Sequence, residues 1–254
     1  MFTVQQRDRV RQYVLAMARS DPRVTGGALI GSKAAGAEDC WSDIDLTFGI
    51  AAGHAIEPVM DDWTRILEQE FGVLDHFDLR AGSSLYRVFL LPDGLEIDLS
   101  VTPAEAFGAR GPHFQMLFGS AAQPEALPPA PEPGQHIGLG WHHVCHARSC
   151  IERNRPWQAA YWIDELRNHT LVLACIRLGE NPAYGRGIDR LPTSVTDPLV
   201  ATFVRSLDQA EVRRALAVAT HCLLAEIAHC DPAHARRLEP LLHEIGMSRE
   251  TDQS

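Results

Sequence analysis

Only one of the 23 basic side chains in this 254-residue sequence is a lysine, Lys33, a bias attributable to genome composition. Long apolar runs are missing as well: none approaches the ~18 residues of a membrane span, which excludes a transmembrane helix. The N-terminal MFTVQQRDRVRQYV carries charges where a signal peptide needs an apolar stretch, so export by that route is not expected. Cysteines are few, at positions 40, 145, 150, 175, 222 and 230, too sparse for a disulfide scaffold. Without an export signal they are expected to be reduced thiols, and the expected location is cytoplasmic. What remains is 45% hydrophobic and 22% charged, ordinary proportions for a globular chain.

Charge is unevenly distributed. Residues 1–135 hold 19 acidic and 10 basic side chains, net −9, whereas residues 136–254 hold 14 and 13, net −1, with nine of the twelve histidines. An acidic first half weighs against a nucleic-acid partner, because neutralising phosphates needs a basic surface. It suits divalent cations or a cationic substrate.

The stretch 123–135, QPEALPPAPEPGQ, contains five prolines and reads as a semi-rigid linker. It separates an expected domain at 1–122 from a second at 136–246. Before it, apolar spacing predicts helices over 4–19 and 57–70 and buried strands at 26–32 and 43–50. LYRVFLLPDGLEIDLSV (85–101) places two apolar runs around Pro-Asp-Gly, a hairpin signal. After it, helices are expected over 138–153, 156–179, 197–206, 209–229 and 231–245. The fold class is therefore α+β, a mixed-sheet domain with flanking helices followed by a helical bundle.

Chemistry concentrates in ALIGSKAAGAEDCWSDIDL (28–46). An apolar strand ends in Gly31-Ser32, and after a short gap Asp43-Ile44-Asp45 opens another. Residues two apart on a strand face the same side, so Asp43 and Asp45 point together, about 6–7 Å apart along the backbone. Two carboxylates at that distance repel and suit a hard cation such as Mg²⁺. The Gly-Ser turn offers backbone donors, a hydroxyl and room for a phosphate. In Leu95-Glu96-Ile97-Asp98-Leu99, Glu96 and Asp98 share a face, and pairing with the 43–50 strand would bring Asp98 to the other two acids. Lys33 could meet a phosphate oxygen as a point charge, although an exposed lysine accounts for it equally well.

This ordered set resembles the signature of the DNA polymerase β-like nucleotidyltransferase superfamily. A small mixed-sheet domain followed by helices is similar to the layout of the antibiotic nucleotidyltransferases, which adenylylate aminoglycosides or lincosamides. The resemblance covers roughly residues 27–101. It implies that Asp43 and Asp45 hold Mg²⁺ and that Asp98 is the third metal-binding carboxylate. Gly31, Ser32, Lys33 and Ser42 would then lie on the nucleotide side. The implied activity moves a nucleoside monophosphate from an NTP, ATP foremost, to a hydroxyl of a small molecule such as an antibiotic. Glu96 or Asp98 would act as base. Two alternatives stay open: a protein or RNA acceptor, and a nucleotide-binding protein without turnover.

In the second half, His142 and His146 lie one helical turn apart, a spacing zinc accepts, but no CxxC or HExxH frame accompanies them. Packed or exposed histidines are the expected reading. Trp157, Tyr161 and Trp162 are expected to pack in a core. Asp164 and Glu165 are the helical-half acids that could meet a cationic acceptor or assist deprotonation.

Overall fold

A computed structural model describes residues 1–111, 113–123 and 132–246. The chain divides into two compact units, Met1–Pro128 and Pro129–Ser254. Residues 124–131 of the expected proline-rich linker lie outside the described residues, and its last three residues already belong to the first helix of the second unit.

The first unit begins with α1 (Val4–Ser20), closed at its N-terminus by a reciprocal Thr3–Gln6 capping box. There follow β1 (Val24–Leu29), the single-turn helix α2 (Gly31–Ala34), β2 (Ile44–Ile50) and α3 (Ile56–Phe71), which stops at left-handed Gly72. The strands β3 (Asp75–Ala81), β4 (Ser84–Leu90), β5 (Glu96–Pro103) and β6 (Gln115–Gly119) complete the unit. The six strands run β3-β4-β5-β2-β1-β6, with β2 and β5 parallel and every other neighbouring pair antiparallel. The expected hairpin is present. β4 and β5 join through Pro92-Asp93-Gly94, where Gly94 takes a positive φ of 81°.

Alternation along the strands sorts side chains between the two faces of the sheet. Ile44, Leu46, Phe48, Ile97, Leu99, Val101, Leu85 and Phe89 form one buried face, covered by Val10 and Val14 of α1 and by Val59, Met60, Trp63 and Leu67 of α3. The opposite face carries Asp45, Asp98 and their row neighbours. β3 and β6, which the sequence reading did not assign, border the sheet. β3 is exposed at nearly every residue, so it has no half-buried alternation to reveal it.

The second unit contains α4 (Pro133–Glu152), α5 (Pro156–Leu178), α6 (Thr193–Val200), α7 (Gln209–Cys230) and α8 (Pro232–Gly246). Four of the five expected helices agree in place. The helix expected over 197–206 instead begins at Thr193 and ends at Val200. Beyond it the chain turns: Thr202 Oγ1 donates to the Leu199 carbonyl at 2.6 Å, and Arg214 donates to the carbonyls of Ala201 and Phe203. Trp157 and Tyr161 depart from expectation, standing exposed rather than in the core. The buried side of α5 is made by Ala159, Ile163, Leu166, Thr170, Leu173 and Ala174.

A three-carboxylate candidate active site

Parallel pairing of β2 with β5 sets Asp45 directly beside Asp98. Their neighbours Ile44 and Ile97 are fully buried on the other face, so a one-residue slip would bury carboxylates and expose isoleucines. Asp43, one residue before β2, joins them. One carboxylate oxygen from each of Asp43, Asp45 and Asp98 lies within 4.8 Å of the other two, and all three residues are half-buried. Among the described residues this is the group of acids, histidines or cysteines gathered closely enough to hold a metal ion. Burial, then the charges of Asp43 and Glu96, push the Asp98 carboxyl up to about 6. Its Oδ1 is buried and has no hydrogen-bond partner among the described residues.

The turn after β1 completes the recess. Gly31 has φ +65°, and a Cβ there would collide with the Asp45 carboxylate, so this backbone approach requires glycine. Ser32 follows, its Oγ buried without a partner among the described residues. An all-oxygen donor set, an unsatisfied carboxylate oxygen and an unsatisfied hydroxyl fit a hard divalent cation with a phosphate group beside it.

The remaining expected site residues are placed differently. Lys33 Nζ binds Glu38 at 2.6 Å rather than facing the recess. Ser42 Oγ donates to Asp39 Oδ1 at 3.0 Å and accepts from the Asp39 backbone, so its side chain is committed to the loop. Glu96 is exposed and stays outside the group of three.

The sequence reading missed what holds the loop before Asp43. Arg7 and Arg11 of α1 are buried and both pair with Glu38, which therefore receives three cations. Arg7 also donates to the backbone carbonyls of Asp39 and, at 3.0 Å, Ser42. A signal was present: Arg7, Val10, Arg11 and Val14 follow one helical stripe, so the arginines share the face of the valines.

The histidines of the second unit form a cluster wider than the 142/146 pair. His142 and His146 rings lie 4.2 Å apart, and His143 contacts Trp162 and His169. His136 Nδ1 and His169 Nδ1 are 3.0 Å apart, one donating to the other. Burial lowers the affinity of His136 and His143 for protons and, with help from its two histidine neighbours, lowers His169 to about 4. Asp164 is tied to Arg167 at 2.6 Å, and Glu165 accepts from Asn168 at 3.4 Å.

No protein-family model matches the chain, and no curated protein matches it by sequence. Among solved structures, it is similar to an aminoglycoside 6-adenyltransferase from Bacillus subtilis, at 13% identity and a TM-score of 0.44, over 92% of this chain and 96% of that one.

Proposed function

We propose that the protein is a Mg²⁺-dependent nucleotidyltransferase that moves a nucleoside monophosphate from an NTP, ATP foremost, to a hydroxyl of a small molecule such as an antibiotic. The observation that carries this reading is the convergence of Asp43, Asp45 and Asp98 beside a glycine-serine turn whose hydroxyl is buried and unpartnered. In this reading residues 1–122 are the nucleotidyltransferase domain and 136–246 the helical domain.

Asp43, Asp45 and Asp98 would hold the metal, which when bound supplies Lewis-acid polarisation of the phosphate and of the attacking hydroxyl. Ser32 Oγ donates to a phosphate oxygen, the partner it lacks among the described residues. Gly31 lets that phosphate approach the backbone. The acceptor oxygen attacks the α-phosphorus, the bond to the α,β-bridging oxygen breaks, and pyrophosphate leaves. The hydroxyl proton passes to a carboxylate, with Asp98 inside the group and Glu96 at its exposed margin as the two candidates. Loss of such a positioned base costs about 10²–10⁴ in rate.

Pyrophosphate release from ATP and Mg²⁺ with a panel of hydroxylated acceptors tests the reading. Acceptor-dependent release that Asp45→Asn abolishes supports it. Nucleotide binding without release on any small molecule would favour a binding protein, and release only with a protein or RNA acceptor would move the activity to a macromolecule.

A further inference from the structure

The sheet face bearing the carboxylates does not end at them. Across the strands, Asp45 sits beside Asp98, Asp98 opposite Val88, and Val88 opposite Phe77. The next row runs Thr47, Ser100, Tyr86 and Leu79. Directly opposed residues share a face, so Val88, Phe77, Tyr86 and Leu79 stand on the same side as the acids. Neighbouring strands lie about 4.8 Å apart, which puts Phe77 about 10 Å from Asp98. That is the length of a drug-sized molecule.

Two features set this apolar shelf apart. Phe77 and Leu79 are 56% and 55% exposed, unusual for large apolar side chains side by side on a strand. Apart from Asp75 at the start of β3, the charges of the same two strands turn to the opposite face: Arg87 pairs with Asp78 and Asp61, and Arg80 pairs with Glu57. A polycation lying along these two rows would meet no counter-charge between Asp98 and the sheet edge. Acids return only beside the shelf, at Asp75 and Glu96, which flank Leu90.

Resting on the nucleotidyl-transfer reading, we propose that the shelf formed by Val88, Phe77, Tyr86 and Leu79 binds the acceptor's apolar body, so that the acceptor is an amphipathic hydroxylated molecule rather than a polyamino sugar. The occupant follows from continuity: a molecule whose hydroxyl reaches the carboxylates has its next 10 Å or so over these side chains. Burying it there also covers the exposed apolar edge that β3 otherwise presents to solvent.

The test uses the full chain without nucleotide and three probes: octyl β-glucoside below its micelle concentration, methyl β-glucoside, and a tetra-amino aminoglycoside. Binding is followed by calorimetry and saturation-transfer NMR. Each methylene buried is worth roughly fourfold in affinity, so seating even two of the added ones gives more than about tenfold preference for the octyl probe over the methyl one. Phe77→Thr and Leu79→Thr keep strand propensity. Each should weaken octyl glucoside severalfold and leave Mg²⁺ affinity and melting temperature near wild type. Equal binding of the two glucosides, tighter binding of the aminoglycoside, or no effect of either variant overturns the proposal. So does a dimer in light scattering that Leu79→Thr dissociates, since the shelf would then belong to a second copy. If octyl glucoside binds through the shelf but no acceptor yields pyrophosphate, the transferase reading fails alone. If pyrophosphate is released only with polar acceptors, the shelf fails alone.

Discussion

The two units each gather like titratable groups, and burial acts on them in opposite senses. In the sheet unit it disfavours the carboxylate, raising Asp98 to about 6, where strand pairing gathers it with Asp43 and Asp45. In the helical unit burial disfavours the imidazolium of His136, His143 and His169, lowering the last to about 4, so these three pack as neutral rings that hydrogen-bond and stack. The acid cluster is an all-oxygen donor set with one buried Asp98 oxygen unpartnered among the described residues, which suits a hard cation from outside. In the histidine cluster His136 and His169 satisfy each other, while His143 Nδ1 and Trp162 Nε1 stay buried without a partner among the described residues. Residue type alone does not separate a site from a packed interior; whether the ligand atoms converge does, and among the described residues only the three aspartates do so.

The largest expected effect breaks the first cluster. Asp43→Asn and Asp45→Asn should each lower pyrophosphate release by more than about 10²-fold, because a metal ligand supplies several kcal/mol at the transition state. Without Mg²⁺ the same variants should melt at or above the wild-type temperature, because one repelling charge is gone. Near-normal turnover in either variant contradicts the metal assignment.

Arg7→Met comes next. It removes a buried cation from Glu38 and two carbonyl contacts from the loop leading to Asp43. Glu38 keeps Arg11 and Lys33, so the expected loss is up to about 3 kcal/mol, toward the lower end of what breaking a buried ion pair costs. Urea unfolding measures that loss, and Mg²⁺ titration should show weaker binding alongside it. Unchanged Mg²⁺ affinity would show that the loop holds its shape without the arginine.

Gly31→Ala should cost about 1–2 kcal/mol for the left-handed backbone, and it should displace the Asp45 carboxylate besides. Mg²⁺ binding is the sharper readout, since a merely unstable turn would not weaken it.

The smallest effect sharpens the second cluster. The folded His169 takes up its proton near pH 4, whereas the unfolded chain does so near 6.5, so the folded state binds fewer protons in between. The stability associated with this group is full above about pH 6.5 and is lost as pH falls toward about 4. Thermal melts from pH 7.5 to 5 should show a steeper decline for the wild type than for His169→Asn. Parallel curves would mean that the imidazole is not held neutral.

Local pattern made much of the site legible. Alternation in Asp-Ile-Asp and in Glu-Ile-Asp is a property of any strand, and Pro-Asp-Gly between apolar runs specifies a turn whatever surrounds it. The helices of the second half were readable from apolar spacing for the same reason, apart from the end of α6, which side-chain and arginine contacts to the backbone decide. Trp157 and Tyr161 show the limit of that reasoning: helical spacing indicates which residues share a face, not whether another element covers it.

From its sequence alone, then, the protein determined the α+β class, the shared face of Asp43 with Asp45 and of Glu96 with Asp98, and the glycine-serine turn before them, because each depends on neighbours a few residues away. The tertiary structure alone decided three further things. Strand order and register set Asp45 against Asp98, leaving Glu96 exposed at the margin. The packing of α1 and α2 around the intervening loop committed Arg7, Arg11 and Lys33 to Glu38. The placement of β3 at the sheet edge left Phe77 and Leu79 exposed on the same face as the acids. Each joins residues far apart in the chain, and such pairings are chosen by what they bury together, which no local pattern records.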